Sequence, residues 1–202
     1  WQTYGGIPVG ASAEIETIML NDIEAQYLRG GWKFDTDSPS RTWDNDYYKH
    51  ILAWQQNGFL FAVVAATMIT DKDEMIAVAE TAISEYLDVF STHPPEQDST
   101  DTIFVHLGTD TQELGDDFVF VPAYEYEPHT DNKGIETIAD AEEVVGFDVV
   151  EPVYFPYAAE FDWVSIDLPG YKSSIGAMTE DVSVSHGYKT LFYQVSITQK
   201  LL

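Results

Sequence analysis

Two short runs alternate oxygen-bearing side chains as calcium-binding loops do: Asp35-Thr36-Asp37-Ser38 and Asp44-Asn45-Asp46. Calcium gathers several oxygen ligands, and alternate residues of a loop can present theirs to one centre. Neither run leads into the Gly and distant Glu of an EF-hand, and such spacings arise by chance in a chain with 35 Asp and Glu. The densest set of potential ligands, Glu125-Tyr126-Glu127-Pro128-His129-Thr130-Asp131, reads as a strand end entering a loop. The histidines at 50, 93, 106, 129 and 186 are dispersed, without HxH or HExxH spacing, so no histidine metal centre is expected. Nucleophilic catalysis has no foundation either: there is no GxSxG elbow, no cysteine and no glycine-rich phosphate loop, and Ser173-Ser174-Ile175-Gly176 reads as a turn. Paired carboxylates for glycoside hydrolysis need two singled-out acids, and nothing singles out a pair here. Trp43, Tyr47, Tyr48 and Trp54 lie close in sequence and could serve sugar binding, but at strand spacing such residues more often build core or interface. The expectation is of no catalytic, cofactor-binding or metal-binding residue and no cofactor.

The charge balance narrows the partners. Against 35 acids stand nine Lys and Arg, a formal net charge of −26. Such a field repels phosphate backbones and anionic membrane surfaces, so neither specific nucleic-acid binding nor membrane association is expected. The longest apolar run, Phe59–Ile69, is far shorter than the roughly 20 residues of a membrane span, so no insertion is expected. Apolar residues make up 45% and aromatics 14%, which is the composition of a folded protein. The acids are scattered along the whole chain, and self-repulsion on this scale is tolerated most readily in concentrated salt. A high-salt environment is the reading adopted; a marine, extracellular or calcium-rich surface protein is the alternative. Without cysteine, the fold rests on its core alone.

The elements that would position any site centre on residues 47–90. Tyr47–Gln55 has strand composition, Asn57-Gly58 is a tight-turn dipeptide, and Phe59–Ile69 returns as a run apolar on both faces. Such a strand needs a cover on each side: a helix on one, another layer or a neighbouring subunit on the other. Thr70 as N-cap with Asp73 as its N3 partner starts a helix whose buried face is Met75, Ile76, Ala79, Ile83, Leu87 and Phe90. The acids of Asp71-Lys72-Asp73-Glu74 complement its dipole. Before it, residues 1–10 read as an irregular arm. Ser12 reads as the cap of a first helix with Ile15, Met19, Ile23 and Tyr27 as its stripe, ended by Gly30-Gly31. Trp32–Phe34 reads as a short strand and Asp35–Arg41 as a polar loop. After Thr92–Asp101, a breaker segment with Pro94-Pro95, strands are expected at Thr102–Leu107, Phe118–Tyr126, Phe147–Val153, Tyr157–Ile166, Val182–His186 and Thr190–Thr198, with a short helix over Ile135–Val145. The whole is α+β: an antiparallel sheet packed by two main helices, in a single domain over 1–202. Its parts are the arm at 1–10, a helix-hairpin-helix core at 11–91, a β-rich excursion at 92–181 and a closing strand at 182–202.

The order of elements resembles the tail-terminator and tail-completion proteins of long-tailed viruses, haloarchaeal ones in view of the charge. The residues that carry the resemblance are Phe59–Ile69 running into Asp71–Phe90, the closing Tyr188–Thr198, and the first helix. It implies a non-enzymatic ring subunit of a virion, capping a tail tube and joining it to the neck. Its partners would be copies of itself in a ring or shell and other virion proteins. An acidic lumen would keep a passing genome from sticking if one face or rim held the acids. Two other readings stay open: a β-sandwich capsid or surface-coat protein, and an extracellular carbohydrate- or calcium-binding module.

Overall fold

A computed structural model describes residues 7–34, 40–66, 71–90, 105–113, 135–155, 159–169, 182–189 and 194–201. In chain order the strands are β1 (Ile7–Val9), β2 (Ile15–Leu20), β3 (Ile23–Arg29), β4 (Gly31–Phe34), β5 (Ser40–Asp44), β6 (Lys49–Gln56) and β7 (Phe59–Ala66). Helix α1 (Lys72–Phe90) follows, then β8 (Val105–Leu107), β9 (Thr111–Glu113), helix α2 (Ile138–Val145), β10 (Glu160–Asp167), β11 (Ser183–Lys189) and β12 (Gln194–Leu201). Seven strands form one antiparallel sheet in the order β10-β11-β12-β7-β6-β3-β2. A smaller sheet runs β4-β5-β9, and β1 pairs in parallel with β8. The α+β reading therefore stands, with one long helix and one short one.

The long apolar run sits where its composition requires, in the middle of the sheet between β6 and β12. Its hairpin turns at Asn57 and Gly58, both at positive φ (50° and 79°), the left-handed pair of a tight turn. Odd-numbered β7 residues Phe59, Phe61, Val63 and Ala65 join Leu52, Trp54 and Ile197 under Met75, Val78, Ala79, Ala82 and Ile83 of α1. Even-numbered Leu60 and Ala62 join Leu28, Ile51 and Ala53 on the other face, beneath Val9 and Trp43. The second cover is thus the small sheet and β1 of the same chain. Near one end of the sheet, Ile138 and Ala141 of α2 pack on Val164, Ile166 and Val184.

Four expectations are corrected. The first helix is the β2–β3 hairpin, turning at Asn21 (φ 54°) with Leu20 opposite Ile23. The four-residue stripe coincided with a two-residue alternation: Ile18 and Leu20, then Ile23, Ala25 and Tyr27, pack toward α1. Ile15 and Leu28 point to the opposite core. The β-branched Ile15, Thr17, Ile18 and Ile23 favour strand, and Asn21-Asp22 supplies the break. Gly30-Gly31 is accordingly no helix end but the bend from the large sheet into β4. Gly30 has φ 132°, and a Cβ on it would lie 2.8 Å from the Trp43 ring. Second, α1 is capped one residue later than expected: Asp71 accepts from the Glu74 amide (3.0 Å) and Glu74 accepts from the Asp71 amide (3.2 Å). With Asp71 as the cap, N3 is a Glu, the residue a capping box prefers. Third, Phe147–Val153 forms no strand. The side-chain amide of buried Gln199 takes the role of a neighbouring backbone, accepting from the Val150 amide (3.0 Å) and donating to the Asp148 carbonyl (3.1 Å). Fourth, within the expected arm Ile7–Val9 is a strand, and Ser40-Arg41 of the expected polar loop opens β5. The expected strand Phe118–Tyr126, the loop at Ser173–Gly176 and the breaker segment Thr92–Asp101 lie outside the described residues.

Candidate functional site

Of the calcium-like runs, Asp35–Ser38 lies outside the described residues. Asp44 is engaged locally: one oxygen accepts the Asp46 amide (2.9 Å) and the other meets Lys33 Nζ (3.4 Å). Among the described residues no group of three His, Cys, Asp or Glu gathers to hold a metal ion. Glu125–Asp131, His93 and His129 are outside the described residues, and His106 lies in β8. The aromatic cluster is split by the sheet. Trp54 stacks on Phe61 (5.2 Å, 11°) in the core beneath α1, whereas Trp43 packs edge-on against Trp32 (5.5 Å, 80°) beneath the small sheet. Tyr47 and Tyr48 stack on one another (4.5 Å), with Tyr48 exposed. These tryptophans are core residues and offer no open stacking platform.

Three ionisable groupings emerge instead, none evident from residue spacing. The first is at the N-terminal end of α1. Tyr27 Oη and His50 Nδ1 share a 2.7 Å hydrogen bond, and Lys72 Nζ lies 5.4 Å above the Tyr27 ring while paired with Glu16 at 2.5 Å. Burial, aided by Arg29, pushes the His50 pKa down, and burial pushes that of Tyr27 up, so both are neutral near pH 7. The pair can share a proton. Among the described residues, however, the Tyr27 hydroxyl is the one side-chain group hydrogen-bonded to His50 and no carboxylate joins the pair, so the nucleophile–base–carboxylate pattern of a triad is not built here.

The second grouping lies between the two sheets. Arg41 of β5 sits over the Trp32 ring, 4.6 Å from its centre. Lys49, first residue of β6, shares the face of Ile51 and Ala53, toward the small sheet. Burial lowers the pKa of both, and the Arg41 charge lowers that of Lys49 further.

The third is His186 of β11, wholly buried between Val164 of β10 and Ile197 of β12, with neither ring nitrogen hydrogen-bonded. Burial pushes its pKa down to about 4; the nearby Val150 backbone pulls weakly the other way without completing a hydrogen bond. Tyr188 lies edge-on to it (5.5 Å) and donates to Glu151 (3.3 Å), and its pKa is raised by burial and by that carboxylate.

No family model matches the chain, and searches of curated proteins and of solved structures find no match. The acids themselves are informative. Among the described residues none is buried, and they include residues of the β2–β3 hairpin (Glu16, Asp22, Glu24), β5 (Asp44), α1 (Asp73, Glu80), α2 (Glu142, Glu143) and β10 (Glu160, Asp162). Helix-bearing and helix-free parts both carry them, which gives no support to a one-sided acidic lumen.

Proposed function

We propose that the chain is a non-enzymatic structural subunit of an assembly adapted to high salt, with a virus particle as its setting. The observation that carries this reading is the open end of the main sheet. Strand β10 is its last strand, with no partner on its outer side among the described residues. On it Phe161 is 40% exposed and touches the Tyr188 ring, as does Phe155 from the segment in which Val153 (75% exposed) and Tyr154 (45%) are exposed. An open edge strand invites pairing, and proteins commonly guard one with charge. Here the guard is Glu160, Asp162 and Asp167 on a chain of net charge −26. In molar salt the screening length shrinks to about 3 Å, so that guard weakens while apolar burial keeps its strength.

A tail or neck ring subunit is the first form of this proposal. A β-rich coat subunit is the second, favoured because the leading helix on which the resemblance partly rested is a hairpin. The test is mass by light scattering after size exclusion, in multi-molar KCl and in dilute buffer, for the natural chain and for Phe161→Glu. A discrete assembly in high salt that dissociates in dilute buffer and is lost in Phe161→Glu is expected. A monomer in both buffers would overturn the proposal. An assembly indifferent to Phe161→Glu would remove β10 as its seam.

A further inference from the structure

We propose that β2, the end strand of the main sheet opposite β10, pairs antiparallel with β2 of a second copy of this chain about a two-fold axis at Thr17. The contact is additional to the β10 seam and does not depend on it. Strand β2 has no partner on its outer side among the described residues. The direction of its backbone groups follows from the ladder behind it. The Gly30 amide bonds to the Lys49 carbonyl (2.9 Å), one step beyond the pair Arg29–His50, so β3 bonds to β6 through its even-numbered residues. Ile23, Ala25 and Tyr27 therefore bond to Leu20, Ile18 and Glu16 of β2. The amides and carbonyls of Ile15, Thr17 and Met19 are left pointing away from the sheet.

Proteins blunt an open edge with charge, proline or a bulge. Strand β10 carries three acids and a register break between Phe161 and Trp163. Strand β2 runs in continuous register with β3 and contains no proline, and its single acid, Glu16, is paired with Lys72. Its outward-bonding residues are uncharged; Thr17 is exposed, and Met19 is 57% exposed. The acids then select both the occupant and the register. With the axis at Thr17, Ile15 of each copy lies opposite Met19 of the other, Glu16 opposite Ile18, and Glu14 opposite Leu20. No acid faces an acid. Moving the axis by one residue sets Glu16 against its own copy in one direction and Glu14 against Asp22 in the other. Like charges directly opposite one another are unfavourable, so the strand is complementary to itself in the Thr17 register.

The chain has no cysteine, so a single introduced one reports on the axis. Across a hydrogen-bonded antiparallel pair the Cα atoms are about 5.5 Å apart, within disulfide range. Thr17→Cys places its thiol on the axis, whereas Met19→Cys lies about 14 Å from its own copy, four residues along the strand. Oxidation with diamide in multi-molar KCl, read by non-reducing electrophoresis, should link Thr17→Cys into a dimer and leave Met19→Cys unlinked. Linking of neither variant, or of both alike, would overturn the proposal. Light scattering supplies a second readout on unlinked protein. With the β10 seam blocked by Phe161→Glu, a dimer should remain in high salt, and adding Thr17→Pro should reduce it to a monomer. Proline there removes an outward N–H that β3 does not use. A dimer that survives Thr17→Pro would refute pairing through β2. A natural chain that stops at a dimer sensitive to Thr17→Pro and indifferent to Phe161→Glu would support this contact while removing the β10 seam, so the two readings fail separately.

Discussion

His186 makes the sharpest demand on the structure, and it can be worked through to a number. Its ring is fully buried, both nitrogens lack partners, and its folded-state pKa of about 4 lies below the ordinary 6.5. Between those values the unfolded chain binds a proton that the folded chain refuses, so stability falls as pH drops from about 7 toward 4 and levels off below. With these two values the loss at pH 5 is about 2 kcal/mol, and the limit at lower pH is about 3 kcal/mol. Among the described residues Tyr188 lies edge-on to the ring and is itself hydrogen-bonded to Glu151; Val164 and Ile197 across the ladder and the Gln199 amide beyond carry no charge.

The wild-type curve alone would mislead, because protonating carboxylates on a chain of net charge −26 relieves self-repulsion over the same range. His186→Leu isolates the term, since it keeps every acid and removes only the imidazole. Urea unfolding of both proteins in high salt at pH 7, 6 and 5 is the assay. The stability of His186→Leu minus that of wild type should be zero or positive at pH 7, because two orphaned buried nitrogens are gone. It should widen by about 2 kcal/mol by pH 5. Parallel pH curves would refute the reasoning and show that His186 is hydrated or hydrogen-bonded in solution.

Two further perturbations address the right-hand half of the sheet. Gln199→Leu removes both hydrogen bonds that fasten Asp148 and Val150 and strands a buried amide, so it should cost about 2 kcal/mol in urea unfolding. Amide hydrogen exchange should accelerate first at Val150. Gly187 faces Trp163 across the β10–β11 ladder, and a Cβ there would lie 2.2 Å from the indole nitrogen. Gly187→Ala should therefore destabilise by about 2 kcal/mol, the overpacking range. Adding Trp163→Ala should recover part of that loss, and strictly additive effects in the double variant would show that the indole does not lie on the glycine.

What could be read from the chain, and what could not, follows from how far each signal reaches. The Asn57-Gly58 hairpin was legible because the turn dictates local φ values whatever surrounds it, and Phe59–Ala66 was legible as central because it is apolar on both faces. Helix α1 is long enough for its period to show, and α2 has a complete capping box at Thr137 and Asp140 within the expected span. The β2–β3 hairpin failed because Ile15, Met19, Ile23 and Tyr27 satisfy a helical spacing by accident; only sheet partners reveal which alternation matters. Residues 147–153 failed for a different reason. Their hydrogen-bond partner is one side chain, Gln199, from a strand about 50 positions away, and no local pattern announces it. The ionisable groupings escaped for the same cause: Arg41 with Lys49, and Tyr27 with His50, meet only when separate strands are brought together.

The charge distribution joins these pieces into one account. A chain that keeps its described acids at the surface, builds tight apolar cores on both sides of one sheet and leaves a charged edge strand, with Val153, Tyr154 and Phe161 exposed, has separated two tasks. The cores hold the fold without disulfides, because the chain has none to use. On the proposed assembly the acids would set how closely two copies approach: at low salt they would oppose edge pairing, and at high salt, screened, they would leave the exposed apolar residues to decide. On that proposal salt should act on association more steeply than on the core. That order is testable on one sample. As KCl is lowered, assemblies should fall apart before the near-ultraviolet circular dichroism of buried Trp54 and Trp43 changes. If the aromatic signal collapsed first, the acids would be limiting the fold itself, and β10 would be no seam.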